Sequence, residues 1–506
     1  MKIRNLILKY IFLLFSITSM AIPARKGEVI LRQPDGSTFK ALISGDEFTR
    51  IKTTSDGNAI IQSPDGWWCY AVYDTEGNKT STGCKVGYET PHDILSLSSR
   101  VPYSILSEKA AETRTSLSSL ENESIIRRLR KQTMQTKSED ETVIKHGIVI
   151  LAEFSDVQFK FGKDDFARLL TEEGYSLNGA TGCAKEYFDD QFGGTVRFDF
   201  QVSDIVTLSR TRAYYGANDN SGNDKAPAEM IRDACKLADQ DIDFSLYDDD
   251  GDGYVDNVFL FFAGPDEAEG AAEECIWSHA WYIYSSTARL DLTCDGKRID
   301  RYACSSELTL TYDTEGKVTN NINTIGTFCH EYSHTFGLPD FYDTDYESSG
   351  GMAAGFWGKT SLMDSGNYNN LGNTPPYFNA PERMLLGLLE PVILKETGNY
   401  TMAPIHKGGT SYLLKTDTDD EFFLFECRRQ EGWDEYIGGS GMLAYHIDAS
   451  DGGYTAWNNL NEVNIDPAHQ RADLMEADAR ADVLPLPRNM LRPVRISEAF
   501  SSLSMT

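Results

Sequence analysis

The sequence predicts an α+β protein, with a central domain of alternating strands and helices between two β-rich regions. The run Ile148-Val149-Ile150-Leu151-Ala152-Glu153-Phe154 is nearly continuous apolar residues, as in a strand buried on both faces. Segments with helical spacing of apolar residues follow it, around Asp165–Glu173, Cys183–Gln191 and Ala226–Asp239. On either side, short apolar runs are separated by turn signals such as Pro34-Asp35-Gly36 and Pro64-Asp65-Gly66. At 506 residues the chain exceeds one ordinary domain and can bury a large core. A formal charge of −30 excludes the basic surface that nucleic-acid binding requires, and gives a well-solvated exterior instead.

In chain order, Lys2, Arg4 and Lys9 precede the mostly apolar stretch Tyr10–Met20, and Ser19-Met20-Ala21 offers small residues for cleavage after Ala21. Residues 1–21 therefore read as a secretory signal peptide, too short in its apolar part to span a membrane. No later segment is long and apolar enough to do so, and the expectation is a secreted protein. Residues 22–92 read as strands and turns: Val29–Leu31 and Phe39–Ile43 flank the first Pro-Asp-Gly, Ala59–Ile61 and Trp67–Tyr70 the second, and Asp74–Asn78 forms a further turn. A hairpin centred on Glu76-Gly77 places Cys69 directly opposite Cys84, within disulfide range. Residues 93–143 are rich in Ser, Glu, Lys and Arg and read as a linker, partly helical around 105–130. Its Arg127-Arg128-Leu129-Arg130-Lys131 run is a possible activation cleavage point or a solvated charge run.

The loop Asp248-Asp249-Asp250-Gly251-Asp252-Gly253-Tyr254-Val255-Asp256 alternates carboxylates with turn residues, as in the first half of an EF-hand. Asp248, Asp250 and Asp252 can offer side-chain oxygens to calcium, Tyr254 its carbonyl, and Asp256 a further oxygen directly or through water. The EF-hand's twelfth position falls on Phe259, which cannot ligate, so the expectation is a structural calcium loop bracing the Asn257–Ala263 strand. Without a cation, so many carboxylates would repel one another.

The strongest motif is His330-Glu331-Tyr332-Ser333-His334, of the form H-E-x-x-H. Histidines four apart on a helix lie about 40° apart around its axis and one turn apart in height, so both rings reach one ion. Glu331, between them, is placed to take a proton from a metal-bound water. A catalytic zinc keeps three protein ligands and one open position. Gly337 can end the helix in the left-handed conformation and Pro339 cannot continue it, so the chain turns back and Asp340 approaches the same ion. Asn323 or Thr324 is expected to cap the helix, and Ile325, Phe328, Cys329, Tyr332 and Phe336 form its apolar face. Gly326 costs ~1 kcal/mol against alanine. A thermolysin-like arrangement would instead take its third ligand from Glu347 or Glu382, neither in a clear E-x-x-x-D helix.

The string from His330 to Asp340 resembles the metzincin pattern H-E-x-x-H-x-x-G-x-x-H/D. That resemblance implies a methionine turn beneath the metal, and Met363, 29 residues beyond His334, fits it. Where some metzincins carry a tyrosine ligand two residues after that Met, this chain has Ser365. The longer string Gly337-Leu338-Pro339-Asp340-Phe341-Tyr342-Asp343 resembles the immune inhibitor A family of secreted bacterial metalloproteases, as do Gln33–Phe39, Asp65-Gly66-Trp67-Trp68 and Ile276–Trp281. The resemblance implies a metzincin-like zinc peptidase domain at 144–395, an N-terminal prodomain at 22–92 and a C-terminal β-rich subdomain at 396–480. The tail 481–506 loses periodicity and reads as irregular. His279 and His446 read as core and strand-end residues, not ligands. The expected function is a zinc-dependent endopeptidase made as a latent precursor, with Glu331 as proton carrier, His330, His334 and Asp340 holding zinc, and protein or peptide substrates. The alternative is a secreted binding protein or adhesin that keeps the fold without activity; the intact Glu331 argues against it.

Overall fold

The computed structural model describes residues 20–475 except 26, 47–48, 89–99, 117–141, 220–221, 285–289, 313–317, 345–357, 451–452, 454–456, 458–460 and 467–468. The segment up to residue 19 that reads as a signal, the Arg127–Lys131 run, Glu347 and the tail from 481 lie outside the described residues.

The apolar run beginning at Ile148 lies within the strand Val143–Glu153, an interior strand one in from the edge of a mixed seven-stranded sheet. Val143–Glu153 pairs in parallel with Val196–Thr207 on one side and Val258–Pro265 on the other. Val258–Pro265 pairs in parallel with Arg301–Tyr312, which is flanked by antiparallel His279–Tyr282 and Val318–Ile322. Alternate side chains of a strand point to opposite faces, and the sheet uses both. Val149, Leu151, Phe259 and Phe261 enter one core with the helices Ala184–Gln191 and Ile325–His334. Ile148, Ile150, Leu260 and Phe262 enter another with the helix Pro227–Ala238. Both faces are covered, which is why the central strands read as apolar runs and not as alternating ones.

The N-terminal region forms two three-stranded sheets, Glu28–Arg32/Thr38–Gly45/Arg50–Thr54 and Ile60–Gln62/Trp68–Tyr73/Lys79–Lys85. The C-terminal sheet joins Val392–Ile393, Tyr412–Lys415, Glu421–Arg428, Gly441–Asp448 and Ala472–Leu474. Its Leu413, Phe422 and Tyr445 share the first core with Tyr187 and Phe188. Among the described residues no helix is long and apolar enough to cross a membrane.

Two local expectations are corrected. The Cys69–Cys84 pairing does not form: both cysteines are free, and Cys69 stands opposite Lys85. The register shifts between Cys69 and Ala71, an irregularity that moves Cys84 out of line. The helix Ile325–His334 starts at Thr324, as expected, but without a side-chain cap. Asn323 instead accepts from the Thr324 N–H at 2.7 Å and donates to Ser305 and Ser306. The structure also explains Gly326: a Cβ there would lie 1.9 Å from the Asn367 carbonyl oxygen. The segment Ser365–Gly372 lies directly on the helix, and only glycine permits that approach.

Candidate metal centre and cleft

Every residue of the helix Ile325–His334 is buried, and its packing holds the His330 and His334 rings still. Phe328 and Tyr332 stack beneath the sheet with Phe200 and Phe259. Beyond His334 the helix ends as the sequence expects. Gly337 has φ +92° and its N–H donates to the His334 carbonyl at 2.9 Å. The chain then turns back, and Phe341 N–H donates to the Met363 carbonyl at 2.9 Å. That bond brings the Asp340 segment and the Met363 turn together.

His330 Nε2 and His334 Nε2 are 3.2 Å apart, and Asp340 Oδ1 lies 3.2 Å and 3.5 Å from them. His330 Nδ1 donates to the Leu362 carbonyl at 2.7 Å, and His334 Nδ1 to the Leu338 carbonyl at 2.8 Å. A carbonyl can only accept, so both Nδ1 atoms carry the hydrogen and both Nε2 lone pairs face inward. Two inward lone pairs and a buried carboxylate oxygen without a hydrogen-bond donor call for a cation. Ligands of a tetrahedral zinc at ~2.0–2.1 Å are roughly 3.3 Å from one another, so this donor set fits zinc. Burial pushes the His334 pKa down to about 4, with Asp340 opposing and His330 adding to the shift, so the ring stays neutral as a ligand must.

Two features of this centre were not legible in the sequence. Asn461 Nδ2 donates to Asp340 Oδ2 at 2.7 Å, and Asn461 Oδ1 accepts from the Asp340 N–H at 2.7 Å. The two bonds turn Oδ1 toward the histidines. Asn464 supports the same turn by donating to the Phe341 carbonyl at 2.7 Å. Secondly, Met20–Ala21 adds antiparallel to the edge strand His279–Tyr282, and the next residue, Ile22, donates its N–H to Glu331 Oε1 at 2.8 Å. An extended backbone thus lies in the cleft in front of the centre. The Ile22 carbonyl accepts from Trp277 Nε1 at 3.0 Å, and the Pro23 carbonyl from Tyr368 at 3.1 Å.

The other expected residues fall as follows. Met363 is fully buried, and its N–H donates to Glu382. Glu382 is therefore a prop for the methionine turn and stands outside the His330/His334/Asp340 cluster. His279 is a core residue, bonded to the Trp277 carbonyl and Tyr302. Asp248, Asp250 and Asp252 bring carboxylate oxygens within 4.8 Å of one another. Tyr254 sits in that loop with its N–H on Asp252 at 2.9 Å. Asp256 is not in the cluster; its Oδ2 lies 3.4 Å from Lys145 Nζ. Lys297 Nζ reaches Asp248 at 2.6 Å and supplies one positive charge there.

Residues 140–384 match the family model described as the immune inhibitor A peptidase M6 catalytic domain. Immune inhibitor A of Bacillus thuringiensis subsp. alesti is 27% identical over 270 residues, covering 46% of this chain and 38% of that protein. The pre-pro-metalloprotease PrtV of Vibrio cholerae serotype O1 (strain M66-2) is 28% identical over 233 residues, covering 41% of this chain and 24% of PrtV. The matched region is thus well under half of each relative's length. The resemblance to immune inhibitor A-like metalloproteases holds, and residues 140–384 are similar to a metallopeptidase catalytic domain, a class that works with a bound metal.

Proposed function

We propose that this chain is a secreted zinc-dependent endopeptidase that hydrolyses peptide bonds of proteins and is made as a latent precursor. The observation that carries the reading is the convergence of His330 Nε2, His334 Nε2 and Asp340 Oδ1 on one point, with Glu331 on the same helix. Zinc held by those three atoms would polarise the scissile carbonyl and lower the pKa of a bound water. Glu331 would take a proton from the attacking water and give it to the leaving amine. Leu362 and Leu338 keep the imidazoles in the ligating tautomer, and Asn461 keeps Asp340 aimed. The edge strand His279–Tyr282 holds the substrate backbone as it holds Met20–Ala21.

Latency is supported by Ile22 in the cleft, whose nitrogen lies 2.8 Å from Glu331 Oε1 and becomes the terminal amine once the signal is cleaved after Ala21. In this reading residues 1–21 direct export, 22–92 form the prodomain, 93–143 the activation linker, 144–395 the catalytic domain and 396–480 the C-terminal subdomain. Structural calcium at Asp248, Asp250 and Asp252, with the Tyr254 carbonyl as a further oxygen of the loop, completes the metal complement. The test is zinc stoichiometry and hydrolysis of unfolded casein by the full chain, before and after nicking in the linker. Metal-dependent hydrolysis that appears on nicking supports the reading. One bound zinc with no hydrolysis by the nicked chain would favour the inactive binding protein.

A further inference from the structure

The N-terminal sheet reaches the cleft through two cationic side chains, Lys52, which pairs with Glu267, and Arg50. Arg50, on the strand Arg50–Thr54, inserts its guanidinium among residues that all belong to the matched catalytic region. Its two terminal nitrogens take both oxygens of Asp224, at 2.9 Å and 3.0 Å. One of them also reaches Glu267 Oε2 at 2.7 Å and Asn218 Oδ1 at 2.6 Å. The guanidinium carbon lies 5.1 Å from the centre of the Trp277 ring. A bidentate carboxylate, a second carboxylate, an amide oxygen and an indole face together recognise a guanidinium by shape and charge. Arg50, Asp224 and Glu267 are nearly solvent-free, with side-chain exposures of 4%, 3% and 0%.

The walls of this pocket are held by the catalytic region itself. Asn218 Nδ2 donates to Glu267 Oε1 at 3.2 Å, and the Trp277 N–H to Asp224 Oδ2 at 3.2 Å. The Glu267 N–H donates to the Ile276 carbonyl at 3.2 Å. Departure of the N-terminal sheet therefore leaves the pocket standing, with two carboxylates that had shared one guanidinium and Glu267 having lost Lys52 as well. Like charges that close favour a new cation.

Its place in the cleft follows from the backbone lying there. Residues 20–21 pair with the edge strand, Ile22 meets Glu331, and the chain then passes Trp277. The Ala24 N–H donates to the Gly45 carbonyl, and Gly45 is the register partner of Arg50. The Arg25 N–H donates to the carbonyl of Ala268, next to Glu267. The pocket thus lies within about three residues of chain beyond Glu331, a span of at most ~10 Å.

We propose that, once the N-terminal region leaves, the Asp224/Glu267/Asn218/Trp277 pocket receives an arginine side chain of the protein substrate, C-terminal to the scissile bond. The inference rests on the peptidase reading above and gives it a substrate class. Arg50 occupies the pocket in the precursor and keeps such substrates out.

Two measurements test it. The full chain, nicked in its linker, is given matched peptides carrying arginine, its neutral isostere citrulline, or alanine at each of the three positions after one scissile bond. Arginine should exceed citrulline by roughly tenfold or more in kcat/KM at one of them. Asp224→Asn and Glu267→Gln should each bring that ratio toward one. Equal rates for arginine and citrulline at all three positions would overturn this inference and leave the peptidase reading standing; no metal-dependent cleavage of any peptide would sink both. Because those substitutions also remove partners of Arg50, the second measurement uses the un-nicked full chain with Arg50→Ala. Millimolar ethylguanidinium should recover the melting temperature lost in that variant, and ethylurea should not. Absence of any difference between the two compounds would show that the pocket does not take a free guanidinium.

Discussion

Asn461 should control zinc affinity without touching zinc. Its amide makes two hydrogen bonds to Asp340, both 2.7 Å, and Asp340 is fully buried. The bond from Nδ2 to Oδ2 has an ionised acceptor and is worth ~1.5–3 kcal/mol; the bond from the Asp340 N–H is neutral and worth ~1 kcal/mol. The first acts on the ligand carboxylate itself, and the second fixes the backbone that carries it. Loss of the first corresponds to roughly 10–100-fold in zinc affinity, the range usual for removing a partner that orients a metal ligand. The substitution needs care, because Asn461 has φ +51° and an alanine there would add backbone strain. Asn461→Gly removes the amide without that strain. Asn461→Asp keeps an acceptor for the Asp340 N–H but sets a second carboxylate against Oδ2, and should weaken zinc binding more than Asn461→Gly at neutral pH. Competition with a chromophoric chelator measures both. Wild-type affinity in Asn461→Gly, or tighter binding in Asn461→Asp than in Asn461→Gly, would refute the orienting role.

The remaining predictions concern the same helix and its supports. Glu331→Ala should keep one zinc and lose activity by a factor on the order of 10²–10⁴, while Asp340→Ala should lose zinc; metal analysis with peptide cleavage separates the two. Gly326→Ala should lower stability by ~1–3 kcal/mol or more despite alanine's better helix propensity, since its Cβ would meet the Asn367 carbonyl at 1.9 Å; a raised melting temperature would contradict this. Burial pushes the Glu382 carboxyl up to about 7, against the bonds it accepts from Ser361, Asn379 and Met363. A raised carboxyl binds its proton more tightly in the folded chain, so its contribution is full below the ordinary carboxylate range, near pH 4, and declines as pH rises toward 7. The stability cost of Glu382→Gln should accordingly shrink between those limits, and a cost independent of pH counts against it. Removing calcium with a selective chelator from calcium-loaded protein should lower the melting temperature through the Asp248/Asp250/Asp252 loop, and an unchanged melt sinks that site.

The sequence by itself determined whatever a few consecutive residues can encode. The spacing of His330 and His334 is a property of one helix, and Gly337 and Pro339 stop that helix, so the approach of Asp340 to both rings was legible before any packing was known. The apolar run of Ile148–Phe154 likewise marked a strand covered on both faces. Tertiary structure alone decided what depends on residues far apart in the chain. Asn461 meets Asp340 across 121 positions and Ile22 meets Glu331 across 309, and neither leaves a periodic trace because each acts through a single side chain or a single backbone N–H. Two extra residues on one strand of a hairpin, between the pairs Ala71/Ser81 and Cys69/Lys85, displaced Cys84 from Cys69, where symmetry about the turn had set them opposite. Gly326, a flaw by helix propensity, became a requirement once Ser365–Gly372 was laid across it. Local geometry is fixed by the backbone's short menu of conformations, whereas which distant surfaces meet is fixed only when the whole core is packed.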